Sequence, residues 1–313
     1  MKMPRTAYIG MLAASAWLLC AMAPRAQSFR SSSDIVPLFV TVTDGEGRLV
    51  GGLTREDFQI FDNGAPQPVA VFDSIPQPIS LIALLDMSGS MADNLPIIRR
   101  ACLDLLGHLG PHDVAKLGIF GQKIAFSPTF TRDPEQLISL LPKSIPSTAP
   151  TPLWRAIDEA MNAVQPAISG RRAILVLSDG KDNGPEIGQK LVTPQNVRDR
   201  AEREDVMVYG IGLRSAPGPV APGGIRSLAD VLKSPAPDPT LGSLALGTGG
   251  GYVELYGRED IAETFARIAD ELHRQYMLGF TPPARDGKVH TVEVRVRNPS
   301  LRSQARKTYL APR

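Results

Sequence analysis

The chain has 313 residues, 43% apolar and 21% charged, with a formal net charge of +2. That composition excludes a disordered chain, and the length suits one large core with a smaller one beside it. No block of like charge is present, so neither nucleic acid nor an anionic membrane surface is an expected partner.

Residues 1–26 begin with Lys2 and Arg5, run through an apolar stretch at 7–23 and end in small residues. This is the pattern of a secretory signal peptide cut after Ala26. A retained anchor is the alternative, but the stretch is near the lower limit for a span and no charged stop-transfer run follows. Cys20 would leave with the leader, and Leu19 before it is not the small residue of a lipoprotein site. Cys102 then stands alone in a helical apolar pattern and reads as a small buried hydrophobe. No later run is long enough to span a bilayer, so the mature chain is expected to be secreted or periplasmic, with no stable membrane span.

Residues 34–75 carry β patterning. "IVPLFVTVTD" alternates, "DGEGR" is a turn, and "FQIFDNGAPQPVAVF" places a strand pair around Asn63-Gly64. Pro76 and Pro78 mark a boundary. Asp62 and Asp73 read as turn residues.

From residue 79 strands and helices alternate. Buried strands are predicted at 79–86, 114–121, 172–180 and 206–213, with a shorter one after Lys123. Helices are predicted at 94–110, 134–142, 152–164, 194–205 and 259–276, with a short helix, Gly turn and strand at 241–255. Thr151 is the expected N-cap of the 152–164 helix, with Pro152 in its first turn. Trp154 is expected to pack in the core. Residues 215–239, rich in Pro, Gly and Ala, read as a surface loop. Strand patterning returns after Tyr276. The expected fold class is therefore α/β: a doubly wound, mostly parallel sheet over 79–273. A smaller β-sandwich is formed by 34–75 together with 276–313. The alternative is two separate β extensions.

Asp86 and Asp179 stand at the carboxyl ends of two predicted strands, where open parallel sheets bind ligands. In "DMSGS" the alternation aims Asp86, Ser88 and Ser90 toward one side, and Gly89 permits a tight path. Carboxylate and hydroxyl oxygens are hard ligands that suit Mg²⁺, or Ca²⁺ or Mn²⁺, and suit zinc poorly. The competing reading is a helix N-cap cluster, because Ser and Asp are common caps.

This segment resembles the DxSxS signature of von Willebrand factor A domains, whose motif forms a metal-ion-dependent adhesion site. The resemblance covers about residues 79–273. It implies that a threonine from a second loop and an Asp after a later strand complete the site. Thr151 in "APTPLWRAI" and Asp179 in "LVLSDGKDNG" match those places. Ala149-Pro150 replaces the Gly-Gly of many relatives, and Thr148 is close, so the threonine is Thr151 or Thr148. The implied metal set is Asp86, Ser88, Ser90, Thr151 and Asp179, with Asp179 acting through water. The implied partner is a protein ligand that donates an Asp or Glu carboxylate. The flanking segments "VTVTDGEGRLVGGLTREDFQIFDNG" and "YMLGFTP" through "DGKVHTVEVRV" resemble those of secreted bacterial relatives.

Two enzyme readings compete. A strand-terminal Asp nucleophile of the haloacid dehalogenase kind needs a second Asp two residues on, and Ser88 occupies that place. "MSGSM" is not the G-x-S-x-G elbow of a hydrolase. His108, His112, His273 and His290 fall at helix ends, loops and the β segment, where surface or capping roles are expected. "GTGGG" at 247–251 precedes a strand, the reverse of a dinucleotide loop. Asp182 and Asn183 either order the third loop or form a solvated turn. The expectation is a binding protein rather than an enzyme. A metal-dependent phosphate or ester hydrolase is the alternative, and a scaffold with a vestigial site is a third reading.

Overall fold

The structure is a computed structural model that describes residues 35–165, 171–184, 191–214, 237–256 and 261–313. The expected leader, Cys20 and most of the 215–239 loop lie outside the described residues.

Four strands come first: β1 (Val36–Thr43), β2 (Phe58–Asp62), β3 (Ala65–Gln67) and β4 (Val71–Asp73). The β2–β3 hairpin turns at Asn63 and Gly64, which both take positive φ, as the Asn-Gly pair predicts. Six strands then build the central sheet: β5 (Ile79–Met87), β6 (Val114–Gly121), β7 (Ala125–Phe126), β8 (Arg171–Ser178), β9 (Met207–Leu213) and β10 (Tyr252–Leu255). Their order is β10-β9-β8-β5-β6-β7, parallel throughout except for β7 on β6. Its helices are α1 (Leu95–Gly107), α2 (Pro134–Ile138), α3 (Leu153–Val164), α4 (Pro194–Glu204), α5 (Pro239–Gly247) and α6 (Ile261–His273). The last four strands are β11 (Tyr276–Phe280), β12 (Val289–Val296), β13 (Arg302–Gln304) and β14 (Thr308–Leu310).

All nine residues of β5 are buried because both faces of the sheet are covered. On one face Leu81, Ala83 and Leu85 pack with Ile98 of α1 and Phe265 of α6. On the other, Ile82 and Leu84 pack with Ile157 of α3, Val197 of α4 and Leu241 of α5. The fold is mixed α/β with a mostly parallel central sheet, as its alternating pattern predicts. Helix α2 is shorter than the 134–142 pattern predicts, closing at Ile138. Leu141 and Ile145 still reach the core from the loop beyond it.

The flanking strands interleave. One four-stranded sheet runs β13-β1-β11-β4 and another β14-β12-β2-β3, all antiparallel. Each sheet therefore contains strands from before and after the central unit. Inward residues alternate: Val36, Leu38, Val40 and Val42 on β1 meet Phe58 and Ile60 on β2, Leu278 and Phe280 on β11, and Val292 and Val294 on β12. Two buried polar positions in this core depart from the turn and surface roles expected of them. Asp62 (2% exposed) and His290 (6%) face each other across β2 and β12, with His290 Nδ1 3.0 Å from Asp62 Oδ1.

The sandwich is tied to the base of the central sheet by polar contacts. Gln275 donates to Thr41 Oγ1 (2.9 Å) and to the Tyr209 hydroxyl (3.0 Å), and Arg171 donates to Gln275 Oε1 (2.5 Å). Beside them Asp113 accepts from the Ile79 and Gly110 amides and contacts His273 Nε2, so His273 anchors the end of α6. Burial alone would raise the Asp113 carboxyl, but the His273 and backbone hydrogen bonds outweigh it and hold it low. Cys102 is buried in α1, and burial pushes its thiol up to about 12, so it is inert as a nucleophile at neutral pH.

Candidate metal centre

The chain leaves β5 at the carboxyl end of the sheet and enters a 3₁₀ turn, Gly89–Asn94. Asp86 is fully buried there, between the parallel neighbours β6 and β8. Its Oδ1 accepts the Ser88 amide (2.8 Å) and its Oδ2 accepts the Ser178 hydroxyl (2.5 Å). Ser88 occupies the N-cap position of the turn but its side chain makes no cap hydrogen bond. Its Oγ lies 3.2 Å from Ser90 Oγ, and Ser90 Oγ in turn donates to Asp179 Oδ1 (2.8 Å). The hydroxyls thus point toward the two carboxylates, and the helix-cap reading of this cluster fails at Ser88.

The second loop closes on the first by backbone contact. The Gly89 amide donates to the Ala149 carbonyl (3.1 Å), and a Cβ on Gly89 would sit 2.0 Å from the Ser147 carbonyl oxygen. Only a residue without a side chain permits that approach. Thr151 is buried, and its Oγ1 would lie 3.4 Å from a Cβ on Gly180, next to Asp179. Thr148 is exposed. The N-cap of α3 is Pro152, one place later than expected. Thr151 instead gives its carbonyl to the Leu153 and Asn183 amides, leaving its hydroxyl beside the third loop.

The third loop is held by Asp182, whose Oδ1 accepts the Trp154 amide (3.2 Å) and whose Oδ2 accepts the Gly184 amide (2.8 Å). It satisfies a free N–H in the first turn of α3, so it orders the loop rather than forming a solvated turn. Ser178, unremarked in the sequence reading, is the other addition. The only signal for it was its place beside Asp179 in "LSDG", because its partner Asp86 lies 92 residues away.

Asp86, Ser88, Ser90 and Asp179 therefore form one connected set, with Thr151 against the same loop as Asp179. The set holds two carboxylates and three hydroxyls, all hard oxygen donors. Among the described residues no group of three or more His, Cys, Asp or Glu side chains gathers as a metal site. The donor chemistry here fits a hard divalent cation and lacks the nitrogen and sulfur ligands of structural zinc. Burial pushes the Asp86 carboxyl up to about 7 despite hydrogen bonds from Ser178 and Ser88, and the like charge of Asp179 adds to the rise. Two buried acids facing one cluster are costly alone and are offset by a cation. Ser178→Ala is expected to weaken divalent-cation affinity about 10-fold, since supporting hydrogen bonds to metal ligands typically contribute 10–100-fold. Calorimetric titration of the purified variant checks this.

The von Willebrand factor type A domain family model matches residues 80–231, a span that contains all five candidate residues. Among solved structures, an aerotolerance-related membrane protein from Bacteroides fragilis is similar at 18% identity, over 62% of this chain and 98% of its own, with a TM-score of 0.45. A von Willebrand factor type A protein from Catenulispora acidiphila is similar at 13% identity, over 90% of this chain and 75% of its own, with a TM-score of 0.46. Proximal thread matrix protein 1 from the mussel byssus, with a zinc-occupied MIDAS motif, is similar at 14% identity over 67% of this chain and 49% of its own, with a TM-score of 0.46. No curated protein matches the chain.

Proposed function

Residues 80–231 are a von Willebrand factor type A domain, and from that premise we propose that the chain is a metal-dependent protein-binding module. Domains of this family often mediate metal-dependent interactions between proteins. Asp86, Ser88, Ser90, Thr151 and Asp179 would hold the cation, Mg²⁺ by the hardness of the donors, with Ca²⁺ or Mn²⁺ as substitutes. Bound there, it supplies a Lewis-acidic position for a carboxylate of a partner protein.

The observation that carries this reading is the hydrogen-bonded run from Asp86 through Ser88 and Ser90 to Asp179. It joins two loops 89 residues apart and brings the Ser88 and Ser90 hydroxyls to the Asp179 carboxylate. The residues themselves do three things. Asp86 and Asp179 supply negative charge. Ser88, Ser90 and Thr151 supply neutral oxygens, so the set's total charge does not exceed that of a divalent ion. Gly89 and Asp182 hold the three loops together. A catalytic reading finds less support, because the Ser88 and Ser90 hydroxyls bond to each other and to Asp179 rather than to a histidine base.

The same reading takes residues 1–26 as an export leader, 34–75 with 276–313 as a β-sandwich domain, and 79–273 as the binding domain displayed outside the cytoplasm. Among the described residues no helix is long and apolar enough to cross a membrane.

Thr151→Val is expected to weaken Mg²⁺ binding about 10-fold, in the range for loss of one ligand-sphere interaction, while Thr148→Val leaves it unchanged. Calorimetry on both variants checks the assignment, and equal effects would remove Thr151 from the site. Affinity capture from the source cell's envelope, with and without chelator, tests the function. A partner retained equally in both conditions counts against metal-dependent binding. Turnover of phosphate or ester substrates with Mg²⁺ present would move the site to the hydrolase class.

A further inference from the structure

At the opposite end of β8 from Asp179, the first sandwich strand faces the base of the central sheet across a cleft of about 260 Å³. Eight residues of strand separate Arg171 from Asp179, about 26 Å at 3.3 Å per residue, so this cleft is independent of the candidate metal centre. It is lined by apolar residues, Phe39 and Met207 among them, and by three arginines, Arg171, Arg172 and Arg306.

Arg171 is 3% exposed. Its Nη1 donates to Gln275 Oε1 and its Nη2 lies 3.5 Å from the Gln77 carbonyl, both neutral acceptors. Its guanidinium lies over the Phe39 ring at 5.0 Å. Its Nε–H is buried and, among the described residues, has no hydrogen-bond partner. Burial lowers its pKa to about 10, so it stays protonated at neutral pH. Arg306 repeats the pattern. Its Nη1 pairs with Asp205 Oδ1 (2.8 Å) and its Nη2 donates to the Pro37 carbonyl (2.6 Å), but its Nε–H too is buried without a partner among the described residues. Arg172 donates to Gln165 and to the Glu204 carbonyl, again neutral acceptors. Three arginines thus line this cleft, and one lining carboxylate, Asp205, pairs with one of them.

A buried guanidinium with an unmade hydrogen bond carries a desolvation cost that an anion in reach would relieve. Guanidinium forks match carboxylate and phosphate oxygens in geometry, and the apolar wall suits a short carbon body. We propose that the cleft between the sandwich and the base of the central sheet is a binding site for a small organic oxyanion, held by Arg171, Arg172 and Arg306. The shared chemistry is a carboxylate or phosphate group on a molecule small enough for the cleft. A ligand held there would tie the start of β8 to β1 through Phe39 and to the β13–β14 connection through Arg306.

The test uses the full chain, freed of divalent cations on a chelating resin, in a chloride buffer. Inorganic phosphate, succinate and benzoate are titrated separately by calorimetry and followed by thermal unfolding, with sodium chloride at matched ionic strength as the control. Saturable binding of phosphate or of a carboxylate, with a rising unfolding midpoint that chloride does not reproduce, is the expected result. Which arm responds identifies the headgroup. Arg172→Gln, at a half-buried position, is expected to fold and to weaken binding at least tenfold. Arg171→Lys keeps the charge but removes the Nε–H fork and is expected to weaken it by a similar factor. Absence of saturable binding by all three probes overturns the proposal, and so does binding that Arg172→Gln leaves unchanged.

Discussion

Asp86→Asn is expected to abolish Mg²⁺ binding and, in metal-free protein, to raise stability at alkaline pH. An unfolded Asp titrates near 3.9, whereas burial holds the folded Asp86 carboxyl at about 7. The folded pKa is the higher one, so the folded state takes up the proton first. Its contribution to stability is fully present below about pH 4 and is lost as pH rises through about 7. At about pH 8 the ionised, buried carboxylate costs on the order of 4 kcal/mol relative to its protonated form, at 1.36 kcal/mol per pH unit. An Asn there still accepts the Ser88 amide and meets the Ser178 hydroxyl, which can act as acceptor. Metal-free wild type should therefore match the variant near pH 5 more closely than near pH 8, where the variant is the more stable. Mg²⁺ at 100 times its Kd stabilises only the binder, by about 2.7 kcal/mol, and so closes most of that gap. Urea unfolding of both proteins at the two pH values, with and without Mg²⁺, gives the comparison. A wild type whose stability ignores both pH and Mg²⁺ would mean that Asp86 holds no cation.

The parallel sheet was legible because its signals are local. A continuous apolar run such as 79–86 is what burial on both faces demands, and the alternation of strands with amphipathic helices fixes the layer order. The "DMSGS" loop was legible for the same reason, since three candidate ligands lie within five residues of one loop. What stayed hidden depends on partners far away in sequence. Thr151 reads locally as a cap and enters the candidate set only by resemblance, whereas its carbonyl accepts the Asn183 amide of the third loop. Ser178 looks like one more strand residue until β8 is laid beside β5. Asp182 looks like a turn residue until α3 needs an acceptor for its first turn. Nothing in "GRRAIL" signals that Arg171 and Arg172 line the junction with the sandwich.

The largest stability effect is expected at Asp62→Ala, about 3–5 kcal/mol, the cost of removing one member of a buried acid–base pair. Period-2 parity contained the clue: Phe58, Ile60 and Asp62 share the inward face of β2, and His290, Val292 and Val294 that of β12. Asp62 Oδ1 accepts from the Tyr309 hydroxyl (3.1 Å) as well as facing His290 Nδ1. Burial and then the Asp62 charge raise the Tyr309 pKa, so its hydroxyl keeps the proton it donates. His290 Nε2 is met by Asp286 Oδ1 at 3.2 Å. One carboxylate therefore links β2, before the central unit, to β12 and β14, after it. Alanine leaves the Tyr309 hydroxyl and the His290 imidazole in an apolar core with a partner gone. Asp73→Ala supplies the comparison, since Asp73 only caps an exposed turn at the Ile75 amide and the Gln77 side chain, worth about 1 kcal/mol or less. Urea midpoints of the two variants decide the matter: equal losses would show that the Asp62 cluster is incidental to holding the flanking segments together. A loss several-fold larger at Asp62, also seen in protein held in saturating Mg²⁺, would show that the sandwich and the central sheet unfold as one cooperative unit. The polar ties from Arg171, Gln275 and Arg306 across their junction call for that result.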